Sequence, residues 1–117
     1  MNFITIGRLV EDPELKELEN GNKVVNFTLA VDREYKSKDG KKITDFFPFS
    51  LWNKDAENIA NISKKGALIK LEGYLKMKKG VNNYEEFTPV ITKYMHLVQQ
   101  KNLSTKEEKE EEKNMEK

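Results

Sequence analysis

The chain has 117 residues, 37% of them hydrophobic and 35% charged, with no cysteine and a formal net charge of +1. That length supports one domain with a modest core, and the missing cysteines exclude a disulfide framework and a thiolate metal site. The opening MNFITIGRL has no basic segment followed by a long apolar run, and no stretch approaches the ~20 apolar residues of a membrane span; a soluble, cytoplasmic protein is expected.

The charge is uneven along the chain. Residues 101–117 hold five lysines and six glutamates, a net −1, which leaves +2 on the preceding residues. A bias that small means an anionic partner must be met by clustered cations rather than abundant ones.

In chain order, Phe3 to Val10 reads as a first strand, with Gly7 marking a bend or bulge where a barrel turns a corner. Arg8 is either a solvated strand charge or a ligand contact. Asp12-Pro13 ends the strand, Glu14 to Glu19 pairs briefly, and Asn20-Gly21 signals a tight turn. Val25, Phe27, Leu29 and Val31 alternate with Asn26, Thr28, Ala30 and Asp32, a half-buried strand expected to run on through Arg33 and Tyr35. Lys36-Ser-Lys-Asp-Gly-Lys-Lys42 follows. Its Asp39-Gly40 turn predicts a long basic hairpin, set against the plainer reading of a solvated loop.

The next strand, Thr44 to Asn53, organises the rest. Phe47, Phe49 and Leu51 point one way, and Phe46, Pro48, Ser50 and Trp52 point the other. A sheet with one face on a core wets its second face, so Phe46 and Trp52 stand as large rings on the polar side. Pro48 implies either a bulge or an amide at an open edge. Asn53 is a candidate helix N-cap. Ala56, Ile59, Ala60 and Ile62 form a helical stripe, and Gly66 after Lys64-Lys65 is its stop. Ile69, Leu71, Leu75 and Met77 mark another strand whose second face carries Lys70, Glu72, Tyr74, Lys76 and Lys78, with Gly73 as a second bent point. Tyr84 to Val98 returns as a final strand, irregular at Pro89. After Gln100 there is almost nothing apolar, so residues 101–117 are expected to form a disordered Glu/Lys-rich tail outside a folded domain of residues 1–100.

About five strongly bent strands with one helix between the third and fourth predict an all-β OB-fold, a five-stranded Greek-key barrel that accommodates oligonucleotides or oligosaccharides. Fold alone does not decide function. Here rings alternate with cations: Tyr35, Phe46, Trp52 and Tyr74 with Arg8, Arg33, Lys36, Lys38, Lys41, Lys42, Lys70, Lys76 and Lys78. Unpaired bases expose flat π-faces that stack on aromatics whatever their identity, and the phosphates between them call for Lys or Arg at intervals. Taken singly, each ring is more often core packing than platform; two on one face of one strand, opposite a full apolar row, point to a binding surface for single-stranded nucleic acid. An enzyme is not expected. The only histidine, His96, lies in a strand between Met95 and Leu97 without an acidic partner. Glu85 and Glu86 point to opposite faces of a strand, and there is no glycine-rich phosphate loop. No cofactor or metal is called for.

These residues carry a resemblance to the bacterial single-stranded DNA-binding (SSB) family, from Ile4 to about Val98. It rests on Ile6-Gly7-Arg8-Leu9 with Asp12-Pro13-Glu14-Leu15, on Asn26-Phe27-Thr28-Leu29-Ala30-Val31, on Trp52-Asn53-Lys54 through Ala56-Glu57-Asn58, and on Lys64-Lys65-Gly66 and Glu72-Gly73-Tyr74-Leu75. The resemblance implies an OB-fold, sequence-tolerant binding of single-stranded DNA in replication, repair and recombination, and a homotetramer. It places Tyr35, Phe46 and Trp52 at the family's base-stacking positions and Lys76 and Lys78 at its phosphate-contacting ones. Gly80 stands where the family often has a further aromatic, a role left open to Tyr84. The chain ends Asn114-Met115-Glu116-Lys117, without the family's acidic tip finished by apolar residues, so recruitment of replication and repair enzymes through the tail is not expected. Two other readings remain open at this stage: an RNA-binding or primosome-accessory OB-fold protein, and an adaptor that binds protein through the same aromatic face.

Overall fold

The computed structural model describes residues 1–99; the expected tail, residues 101–117, lies outside them. The elements are β1 (Asn2–Leu9), β2 (Lys16–Glu17), β3 (Lys23–Asp32), β4 (Thr44–Trp52), α1 (Asn53–Ile62), β5 (Leu68–Lys79) and β6 (Glu85–Val98), with a 3-10 turn at Val81–Asn83. All strand pairs are antiparallel. The order is β2-β3-β1-β5-β6, and β4 pairs with β3. The two-residue β2 aside, these are the five long strands of an OB-fold, with the helix between the third and fourth.

The core follows from the alternation. Leu9, Val25, Phe27, Leu29, Phe49, Leu51, Ile69 and Leu71 point inward, and Ala56 and Ile59 of α1 complete the cluster from one end. Phe49 links the rings, its centroid 5.9 Å from Phe3, 6.0 Å from Phe27 and 6.4 Å from Phe47. Two glycines let strands approach more closely than any side chain would permit. A Cβ on Gly7 would sit 2.8 Å from the Ala30 carbonyl oxygen, where β1 leaves β5 to meet β3, and one on Gly73 would sit 2.1 Å from that of Val90. The β5–β6 register shifts between Glu72 and Gly73, so the second bend is real.

Several local expectations are corrected. The β3–β4 ladder stops at Asp32↔Thr44; only the Arg33 amide to the Ile43 carbonyl, 2.9 Å, extends it, and a turn at Ser37–Lys41 closes the segment. Charged side chains without a core face beneath them do not sustain a ladder. Asn53 is not the helix cap. Trp52 holds that position without a side-chain bond, while Asn53 has φ +52, a left-handed conformation asparagine tolerates, and its Oδ1 accepts the Lys23 amide at 3.0 Å. Ile62 is exposed because the helix ends there and the stripe closes on the fully buried Ser63 instead. Gly66 comes after the helix end rather than at it, its amide donating to the Leu9 carbonyl at 2.9 Å. Pro89 sits in unbroken register opposite Leu75, and the two irregularities of this ladder fall at Thr92 and Leu97. Pro48 pairs with Thr28 without a bulge; β4 has no partner but β3, so the proline costs the ladder nothing at the open edge.

Candidate nucleic-acid interface

The register of β3 and β4 puts Phe46, Pro48, Ser50 and Trp52 on one face with Asn26, Thr28, Ala30 and Asp32. Phe46 is 63% exposed and Trp52 51%. Both rings therefore lie over solvent on the face turned away from the core. Between them the Ser50 hydroxyl donates to Asn26 Oδ1 at 2.5 Å. A groove of about 590 Å³ opens beside Phe46, bounded by Asn26, Thr28 and Pro48 on the sheet, by Asp12 of the β1–β2 loop and by Thr88 of β6. Phe47, expected inside, is 43% exposed, because the inward row runs past the core there. With Phe3, Leu75, Phe87 and Pro89 it lines a second, mostly apolar groove of about 430 Å³.

The cations fall into two sets. Around the β3–β4 end, Arg8 lies in one cross-strand row with Ala30 and Phe46, and Lys36, Lys41, Lys42 and the exposed ring of Tyr35 belong to the segment joining the two strands. Along β5, Tyr74, Lys76 and Lys78 share one exposed face. Lys76 is paired with Thr88, which lines the groove beside Phe46, so this basic strand borders the first site through β6. Lys70 stands apart. It is half-buried and pairs with Ile6 and Met95 on the outer face of β1, β5 and β6.

Electrostatic partners divide the same residues differently. Arg33 donates through Nε and Nη2 to both oxygens of Asp45, at 2.8 and 3.1 Å. Those bonds raise the guanidinium pKa and hold the Asp45 carboxyl below its ordinary value. Asp45 pairs with Val31 on the face opposite Phe46, so Arg33 braces the hairpin root from behind. Lys41 lies 3.9 Å from Asp39. Lys36, Lys38, Lys70, Lys76 and Lys78 make no ion pair among the described residues. Asp32 and Thr44, to which sequence reasoning gives no role in the site, meet across the ladder beside Arg8 and Lys42; cross-strand register is the only signal that pairs them. His96 has a structural partner: its Nδ1 lies 2.8 Å from the hydroxyl of buried Ser63, which Tyr94 also contacts.

The family model described as "Single-strand binding protein family" matches residues 1–100. The single-stranded DNA-binding protein of Halalkalibacterium halodurans is 42% identical over 80 residues, covering 68% of this chain and 48% of that protein. Single-stranded DNA-binding protein A of Bacillus subtilis is 42% identical over 82 residues, 70% of this chain and 45% of its own. Single-stranded DNA-binding protein 3 of Streptococcus agalactiae is 32% identical over 104 residues, 86% and 75% of the two chains. The matched segment thus spans about half the length of the first two relatives. With the OB topology, the family match over residues 1–100 and these relatives, the chain belongs to the single-strand binding protein family.

Proposed function

We propose that this chain is a non-catalytic binder of single-stranded DNA, tolerant of sequence, that coats exposed strands in replication, repair and recombination in the cytoplasm. Bases stack on Tyr35, Phe46, Trp52 and Tyr74. Arg8, Lys36, Lys41, Lys42, Lys76 and Lys78 hold the phosphates, Lys70 lies apart beside Ile6 and Met95, and Arg33 contributes mainly by fixing the hairpin root through Asp45. The observation that carries this reading is the pair of exposed rings on one face of β4, in a chain whose relatives are named for single-stranded DNA binding. Each stacked base is worth about 1–3 kcal/mol irrespective of identity, which suits a coat better than a reader.

Self-association fits the same structure. Ile4 is 65% and Ile6 50% exposed. From Asn2 to Ile6, β1 is paired on one side only, by β5, so its other edge is open to a second copy. A homotetramer is the assembly this reading adopts, and light scattering with and without a long thymidine oligomer tests it.

Trp52 is the only tryptophan, so oligo-dT should quench its emission, with affinity falling by a slope of about −0.7 per phosphate neutralised as salt rises. Unchanged emission at low salt in folded protein refutes the site. Reversal of Lys76 and Lys78 to Glu should abolish most of the binding; retention of affinity favours a protein adaptor instead. Preference for an RNA strand of equal length would favour a 2′-hydroxyl reader.

A further inference from the structure

The donors around Asp32 are arranged as they would be around a phosphate. Thr44 Oγ1 donates to Asp32 Oδ1 at 2.7 Å. Arg8 Nη2 lies 3.7 Å from Oδ2 and Lys42 Nζ 3.9 Å from the same oxygen. A guanidinium from β1 and, from the start of β4 and the residues just before it, a hydroxyl and an ammonium thus converge on one carboxylate. The hydrogen bond from Thr44, seconded by Arg8 and Lys42, holds that carboxyl below its ordinary value.

The placement is specific. Asp32↔Thr44 and Ala30↔Phe46 are successive pairs on one face of the ladder, so the carboxylate sits about 7 Å along the strand from the Phe46 row. Arg8 belongs to that row as well, opposite Ala30. The cluster is half-open, with side-chain exposures of 42% for Arg8 and 73% for Lys42, so a ligand anion can reach the donors. Hydroxyl and guanidinium groups are the usual partners of backbone phosphate oxygens, and charge-assisted bonds to an anion are the stronger kind.

We propose that Arg8, Lys42 and Thr44 form a phosphate site next to the Phe46 stacking ring, and that Asp32 occupies it as an internal competitor until a phosphate of single-stranded nucleic acid displaces the carboxylate from these donors. This rests on the binding reading above and deepens it. The competition attenuates affinity and makes the bound strand easier to release, because the donors have a fallback partner one side-chain step away. Among the described residues, the cations of the β5 strand, Lys76 and Lys78, have none.

The test is a titration of the full chain with oligo-dT at a series of salt concentrations, read by Trp52 emission. Asp32→Asn should bind about two- to fivefold more tightly at low salt, the size expected when one exposed ion-pair competitor is removed. Its log K against log salt should be steeper by up to about 0.7, because no displaced carboxylate takes back a cation when the phosphate binds. Glu19→Gln is the control: it changes net charge equally from an exposed turn, some 30 Å or more along β3 from Asp32, and should leave the slope unchanged. Asp32→Ser, a smaller side chain suited to a strand end, gives the same gain if the Asn variant folds poorly. Thr44→Val in the Asp32→Asn background should reduce the gain. A slope equal to that of Glu19→Gln, or weaker binding by both Asp32 variants, overturns the competitor while leaving the binding reading intact. Absence of quenching by the unaltered chain overturns both.

Discussion

Truncating two rings on one strand should have opposite consequences. Phe46 and Phe49 lie three positions apart on β4, so they face opposite ways. Phe49 is 9% exposed and touches the rings of Phe3, Phe27 and Phe47. Phe49→Ala removes a buried ring and leaves a cavity between strands, a change that typically costs about 3–5 kcal/mol. In a domain of about 100 residues each kcal/mol moves the melting midpoint by roughly 4–8 °C, so a drop of about 12–40 °C is expected. Phe46 is 63% exposed, and Phe46→Ala should change stability by no more than about 0.5 kcal/mol. Its cost falls on binding: one lost stacking partner is about 1–3 kcal/mol, a five- to 150-fold weaker Kd for oligo-dT at fixed salt. The salt slope should stay constant, because no phosphate contact is removed. Thermal melts by circular dichroism and Trp52 titrations on both variants make the comparison. If Phe46→Ala melts as early as Phe49→Ala, or binds like the unaltered chain, then the assignment of the two faces is wrong.

Two further outcomes follow from the backbone and the carboxylates. Gly73→Ala should destabilise by about 3 kcal/mol or more, beyond ordinary overpacking, since its Cβ would fall 2.1 Å from a backbone oxygen that cannot turn aside; a urea midpoint close to that of the unaltered chain refutes this. The carboxyls of Asp32 and Asp45 are held low by the Thr44 hydrogen bond and by Arg33 respectively. Their folded values lie below their unfolded ones, so the stability they contribute is present above about pH 4 and is lost as pH falls through the folded values. Melting temperature should be level from neutral to about pH 5 and decline below pH 4, and Asp45→Asn should flatten part of that decline; an equal decline in both proteins counts against the pair.

Much of this arrangement is legible in the chain itself. Alternation alone separates Phe27, Leu29, Phe49 and Leu51 from Asn26, Thr28, Phe46 and Trp52, because a side-chain period of two leaves no third choice. Asn20-Gly21 and Asp39-Gly40 mark turns for the same local reason, and both glycines take positive φ, +86 and +78. What sequence does not carry is register. Arg8 and Asp32 are distant in the chain, as are Lys23 and Asn53, and only the ladder decides that they meet. For the same reason the list of cations reads as one basic surface until the carboxylates that face four of them are placed. Phe47 was misjudged because alternation tells which way a residue points, not whether the core extends that far.

Two of the three prolines, Pro48 and Pro89, stand on the strands that flank the barrel's seam, and both border each of its grooves. Neither has an amide hydrogen to offer a neighbouring strand. β4 and β6 therefore lack a donor where they would need one to zip into a closed cylinder. The same deficiency discourages a foreign strand from adding along β4. The two grooves described above thus lie where β4 and β6 meet without a shared ladder, and the open side of β4 offers an added strand one hydrogen-bond donor fewer.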